Sequence, residues 1–149
     1  MAIKCFYHGS DLDGHCSGAI VKHRYPEAIL YPASYGSPFP WSLIEGEDKV
    51  FMIDFSLPPE EMIRLNRACD LVWIDHHRIM IEAVEESGEK IAGTRETGKA
   101  GCELAWEFIF PEKPIPPFVR LLGRYDVWDH ANPEKWEKEI LPFQYGVRS

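Results

Sequence analysis

Short apolar runs, each closed by polar turn residues, alternate with stretches of helical periodicity through the first two thirds of the chain. Residues 2–7, Ala2-Ile3-Lys4-Cys5-Phe6-Tyr7, read as a first buried strand. Residues 14–24 predict a helix with Ala19, Ile20 and Val21 on its apolar side and Pro26 beyond its end. Residues 28–33 predict a second strand, and residues 34–48, rich in Gly, Ser and Pro, a loop with a helical turn near Trp41. Residues 49–54 are the third strand. Pro58-Pro59-Glu60-Glu61 then opens a helix, with proline in the first turn and acids at the positive end of the helix dipole. Its apolar positions Met62, Ile63 and Leu65 lead to Cys69. A fourth strand over 70–75, a helix over 77–87 and a short strand at Ile91-Ala92-Gly93 follow.

After residue 95 the pattern becomes helical. Lys99 to Phe110 carries Cys102, Leu104, Ala105, Phe108 and Ile109 at helical spacing, and Pro111, Pro114, Pro116 and Pro117 interrupt the chain. Phe118 to Tyr125 predicts another helix, and residues 133–140 one more; Pro142 to Ser149 receive no element. Strands alternating with helices predict an α/β fold: a parallel β-sheet flanked by helices on both faces, with a helical C-terminal portion. Residues 1–149 are expected to form one domain, without internal repeat or low-complexity segment.

A hydrophobic content of 45% is that of an ordinary globular core. No run of about 18 apolar residues is present to span a membrane, and the N-terminal residues lack a signal-peptide pattern, so the cytoplasm is the expected location. Cys5, Cys16, Cys69 and Cys102 are widely spaced, as expected of reduced thiols and not of a zinc knuckle or disulfide framework. The net charge of −8 opposes nonspecific binding to long nucleic acid, which depends on Lys and Arg against phosphate. A small or short phosphorylated partner remains compatible, because cations offset ligand carboxylates.

Three of the strands run into Asp or His, which are oxygen and nitrogen ligands for divalent metals. The first ends in His8-Gly9-Ser10-Asp11-Leu12-Asp13-Gly14. Asp11 and Asp13, two residues apart, face one way in extended chain; the alternative is an Asp-Gly turn that caps the next helix. The third strand ends in Asp54, a metal bridge or a turn residue. The fourth ends in Asp75-His76-His77, where one imidazole can bind metal, the other can face substrate, and the carboxylate can fix a tautomer; a helix cap with two surface histidines is the plainer reading. Asp126 and Asp129 flank Val127-Trp128 as ligands or caps. Arg120 and Arg124 suit phosphate oxygens or surface ion pairs. His15 can approach from the first helix, whereas His23 and His130 have no such context. Tyr35, Phe39 and Trp41 can stack on a base or pack on the core.

These segments resemble the DHH phosphoesterase superfamily, which includes RecJ-type exonucleases, bacterial oligoribonucleases and family II inorganic pyrophosphatases. The resemblance rests on His8 to Gly14, Ile53-Asp54-Phe55, Asp75-His76-His77 and Asp126 within Gly123-Arg124-Tyr125-Asp126, in that order across nearly the whole chain. It implies two divalent ions, Mn²⁺ foremost, with Mg²⁺ or Co²⁺ as substitutes. His8, Asp11 and Asp54 would hold one, and Asp13, Asp54, His76 and Asp126 the other, with Asp129 as a stand-in for Asp126. Asp75 would orient a histidine, His77 would contact substrate phosphate, and Arg124 would assist. His8 lies at a different distance from Asp11 than in other members. These residues contain no glycine-rich segment ending in histidine, which marks the C-terminal substrate-binding domain of most relatives, so they are expected to correspond to the catalytic domain alone.

The activity so implied is hydrolysis of phosphodiester bonds in short oligonucleotides or nucleotides. The alternatives are a pyrophosphatase or exopolyphosphatase, and an inactive metal-binding half of a two-domain enzyme. The expected partner is the short substrate, with neither long nucleic acid nor a membrane, and a homodimer is left open.

Overall fold

The computed structural model describes residues 1–148; Ser149 lies outside them. Five strands, β1 (Ile3–His8), β2 (Ile29–Ala33), β3 (Lys49–Ile53), β4 (Asp70–Asp75) and β5 (Ala92–Arg95), form one parallel sheet in the order β2-β1-β3-β4-β5. Between them run α1 (Leu12–Arg24), a 3₁₀ turn (Trp41–Leu43), α2 (Pro59–Ala68) and α3 (Arg78–Glu86). After β5 come α4 (Gly101–Ile109), α5 (Pro117–Asp126), α6 (Pro133–Lys135), a π turn (Trp136–Ile140) and α7 (Leu141–Arg148). The fold is therefore the expected α/β sheet with a helical C-terminal portion.

Side-chain alternation along the strands divides the core in two. Ile3, Cys5, Phe51, Ile53, Val72 and Ile74 face one way and pack with Ile20 and Val21 of α1, Leu104 and Ala105 of α4, and Val119 and Leu122 of α5. Phe6, Val50, Met52, Leu71 and Trp73 face the other way and pack with Met62 and Leu65 of α2 and Ile81 and Val84 of α3. Because β3 and β4 are covered on both sides, they are continuous apolar runs without polar alternation. The chain leaves β1 for β2 on one side and returns for β3 on the other. Strand order thus reverses between β1 and β3, and the crevice outside their carboxyl ends is where such sheets take ligands.

Helix α1 starts two residues before the expected position because Asp11 caps it: its Oδ1 accepts the Gly14 N–H at 2.9 Å. Ala19 is exposed, contrary to expectation, because the inward stripe runs Asp13, Cys16, Ser17, Ile20 and Val21. Phe108 is 41% exposed, beyond the buried Gly101–Trp106 part of α4. The fifth strand is Ala92–Arg95 and not 91–93; Gly93 there has φ +126 and lies against the Trp73 backbone, a place for glycine alone. The expected helix over 133–140 resolves into α6 and the π turn, and the final residues, given no element from sequence, form α7.

The turn between β1 and α1 is held by a close backbone approach. A Cβ on Gly14 would collide with the His8 carbonyl, and both groups are main chain, so neither can swing aside. Gly14→Ala is expected to destabilise the fold by about 3 kcal/mol, the upper end of overpacking costs, measured as a lower urea midpoint. An unchanged midpoint would contradict this packing.

Candidate metal centre

The ends of β1, β3 and β4 lie side by side and deliver His8, Asp54 and Asp75 to one edge. Asp54 follows β3 directly. Its N–H still bonds to the Ile74 carbonyl at 2.9 Å, but its φ is +59°, a left-handed conformation that aspartate tolerates better than most residues. That local turn aims a fully buried carboxylate into the crevice. The start of α1 adds Asp11 and Asp13, the turn before α3 adds His76 and His77, and the end of α5 adds Asp126.

These side chains converge on Asp54 from two sides. His76 Nε2 lies 2.9 Å from Asp54 Oδ1, and His8 Nδ1 lies 3.7 Å from Asp54 Oδ2. His8 Nδ1 is also 3.5 Å from Asp11, while His76 Nε2 is 3.5 Å from Asp13 and 3.7 Å from Asp126. Ligand atoms of His8, Asp11 and Asp54 lie within 4.8 Å of one another, as do those of Asp13, His76 and Asp126. A third such group joins Asp54 to Asp75, His76 and His77. Asp129 is in none of these groups; its Oδ2 accepts from Arg124 at 3.2 Å.

Asp13 is buried, and the N-terminus of α4 holds it. Gly101 N–H donates to Oδ2 at 3.0 Å and Cys102 N–H to Oδ1 at 2.7 Å, at the positive end of the helix dipole. Gly101 also allows Asp54 its place, since a Cβ there would lie 2.7 Å from the Asp54 Cβ. The sequence reading overlooked this contribution of Ala100-Gly101-Cys102. Its only signal is a glycine at the start of an otherwise apolar helix.

Glu103, fully buried, was missed as well. It accepts from Ala100 N–H at 3.1 Å, pairs with Arg120, and binds Arg124 at 2.5 Å. Both guanidinium groups expected to meet phosphate are therefore engaged: Arg124 is shared among Glu103, Asp129 and the Gly98 carbonyl. His15 bonds to the Gly9 carbonyl at 3.0 Å, His23 packs on Phe110, and His130 packs on Trp136; none of the three belongs to a ligand group.

Crowding shapes the protonation of the cluster. Burial, with the charges of Asp54 and Asp126, pushes the Asp13 carboxyl well above the ordinary value. Burial and Asp54 likewise push Asp126 upward. Burial acts on Asp54 in the same sense, but the hydrogen bond from His76 and the nearby His8 imidazole outweigh it and leave Asp54 below the ordinary value. His77 is raised to about 9, first by its hydrogen bond to Asp75. Asp75 Oδ1 accepts from His77 Nδ1 at 2.7 Å and from the His76 N–H at 2.8 Å, which leaves the His77 Nε2 3.9 Å from Asp54.

A divalent cation fits this donor set. His8 Nδ1 and Asp54 Oδ2 are buried and have no hydrogen-bond partner, a cost of about 1–3 kcal/mol for each such group. Imidazole and carboxylate together suit Mn²⁺ and similar ions. His8, Asp11 and Asp54 would hold one ion, and Asp13, His76 and Asp126 with the shared Asp54 a second.

No protein-family model matches the chain. It is 29% identical over 147 residues to an uncharacterized protein of Acanthamoeba polyphaga mimivirus, covering 88% of this chain and 34% of the viral protein. The fold is similar to the crystal structure of an uncharacterized protein from Helicobacter pylori, with a TM-score of 0.69 and 20% identity over 87% of this chain and 44% of that one. The chain thus spans about a third of the viral relative and under half of the bacterial protein. At this level of identity the structural likeness establishes the fold.

Two outcomes follow from the electrostatics. Because His77 is raised when folded, its contribution to stability is complete below about pH 6.5 and is lost as pH rises through about 9. An NMR titration of the metal-free protein should place the His77 ring near that value, and Asp75→Asn should bring it down toward the free-histidine range; an unmoved titration would dissociate the pair. Asp13 and Asp126, also raised, oppose folding increasingly as they lose their protons, and a cation relieves that repulsion. Mn²⁺ at one fixed concentration, about 100 times its Kd at pH 7.5, should raise Tm by roughly 8 °C at that pH and by less at pH 5, where protonated acids weaken binding. An equal gain at both pH values would contradict this linkage.

Proposed function

We propose that this chain is a divalent-metal-dependent phosphoesterase acting on short oligonucleotides or nucleotides. The observation that carries the reading is Asp54. One buried carboxylate lies between two separate histidine–carboxylate groups, with one oxygen toward each. That arrangement suits a pair of cations sharing a ligand. Bound there, such ions supply positive charge to phosphoryl oxygens and make water nucleophilic near neutral pH.

The chain's own residues divide the remaining work. His8, Asp11 and Asp54 form one wall of the site, and Asp13, His76 and Asp126 the other. His77 is the cation best disposed to meet substrate: its side chain is partly exposed, and its Nδ1 is fixed on Asp75, whose carboxylate favours the charged ring. A fixed imidazolium stabilises negative charge on the phosphoryl group as it develops. Arg124, expected to assist, is positioned by Glu103 and Asp129 to brace the end of α5 that carries Asp126. The net charge of −8 argues for a short substrate over long nucleic acid.

No helix among the described residues is long and apolar enough to cross a membrane. The four free cysteines accord with a reducing, cytoplasmic setting.

The test is manganese stoichiometry and dinucleotide hydrolysis measured on one sample. Two ions per chain and turnover are expected, with turnover abolished in Asp54→Ala and reduced about 10²- to 10³-fold in His77→Ala. Hydrolysis of pyrophosphate alone would replace this reading with a pyrophosphatase. Two ions without turnover of either would assign substrate capture to a further domain, and failure to bind metal would remove the reading altogether.

A further inference from the structure

The loop between β2 and β3 brings three aromatic side chains near the crevice, and the structure uses two of them for packing. Phe39 lies 4.9 Å from the Phe6 ring and 4.9 Å from Trp41. The Arg64 guanidinium covers Trp41 at 3.7 Å. Tyr35 differs. It is 51% exposed, and its ring stands 4.4 Å from Phe55 and 5.5 Å from the His8 ring. The aromatic surface of Tyr35 thus begins where the ligand group of His8, Asp11 and Asp54 ends.

Beside it lies a cleft of about 400 Å³, within the size range of small-ligand sites. Tyr35, Phe55 and Met80 give it apolar walls, and Ser37, Ser56 and Glu61 give it polar groups. Gly36, at φ +87 with open space around it, keeps the rim clear. Ser56 is the second signal. Its hydroxyl is buried beside that of Tyr35 and makes no hydrogen bond of full geometry. A buried hydroxyl left this way costs about 1–3 kcal/mol unless something completes its bonding.

The lining contains no Lys, Arg or His, and its one charged group is the Glu61 carboxylate. A second phosphate there would meet repulsion with nothing to neutralise it. A flat, neutral group with polar edges would find an exposed ring to stack on and hydroxyls to bond.

Resting on the phosphoesterase reading, we infer that this cleft is a nucleobase subsite, with Tyr35 as the stacking platform that selects nucleotides over simple phosphates. Base–aromatic stacking of this kind changes affinity about 5- to 150-fold. The selectivity belongs to one exposed ring, so it can be removed without touching the acids.

The test is calorimetric binding of adenosine 5′-monophosphate and ribose 5-phosphate to the Mn²⁺-loaded protein. The nucleotide should bind about 5- to 150-fold more tightly than the sugar phosphate. Tyr35→Ala should abolish that ratio while leaving ribose 5-phosphate affinity unchanged, and Tyr35→Phe should preserve it. Equal affinity in the unsubstituted protein, or a ratio that survives Tyr35→Ala, would overturn the subsite and leave the phosphoesterase reading standing. If neither phosphate binds the Mn²⁺-loaded protein, the phosphoesterase reading fails and the subsite falls with it.

Discussion

The structure is organised around the need to keep several carboxylates together at one sheet edge. Asp11, Asp13, Asp54, Asp75 and Asp126 converge there, and three of them are almost completely buried. Like charges at this spacing raise one another's proton affinity, as Asp13 and Asp126 show. Each of the three buried acids is therefore met by a specific partner. Asp13 takes the N–H groups of α4, Asp54 takes His8 and His76, and Asp75 takes His77. These partners come from separate elements, so the acid edge and the packing of the domain are parts of one arrangement.

Behind the edge, Glu103 links α4, whose N-terminus holds Asp13, to α5, which carries Asp126. It lies in the first turn of α4, where it bonds back to Ala100, and it binds Arg120 and Arg124 of α5. Glu103 is fully buried while its two arginines reach solvent, so loss of both arginines would strand a buried carboxylate. Gly123 permits the approach, since a Cβ there would clash with the Glu103 side chain. The N–H groups that hold Asp13 and the helix end that carries Asp126 are thereby held in common, although Glu103 is not among the ligand groups.

Much of this was legible in the chain because strand ends leave a strong mark. The parallel sheet was readable from apolar runs alternating with helical spacing, and His8, Asp54 and Asp75 from their places just after those runs. The contributions of α4 were not, because they are made by backbone N–H groups, which any residue possesses. Gly101 and Cys102 reach across 88 and 89 residues to Asp13, and no local pattern encodes so distant a contact. Of the two roles open to Arg124, phosphate contact and ion pairing, the structure shows the ion pairs, and their main partner was not legible for a related reason. The sequence neighbours of Arg124 include acids, whereas its decisive partner, Glu103, lies 21 positions away. The final helix was missed because Pro142 and Gly146 mask its periodicity, while tertiary packing of Gln144 and its neighbours maintains it.

The charge arrangement also constrains the order of events in the proposed reaction. Asp75 is balanced by His77, which leaves Asp11, Asp13, Asp54 and Asp126 as four carboxylates with only His8 and His76 among them. A phosphodiester anion approaching that edge alone is repelled, and the protein's net charge of −8 reinforces the repulsion. Two divalent cations would balance the four carboxylates, after which His77 is the charge that an incoming phosphate meets. In the proposed reaction, cations would therefore bind before substrate. The same balance limits what the cleft at Tyr35 can accept, because it lies beyond the ligand groups and supplies no positive charge of its own. In the proposed reading, recognition there would come from ring stacking and hydroxyl groups, so the part of the site that would hold phosphate is separate from the part that would read what the phosphate is attached to.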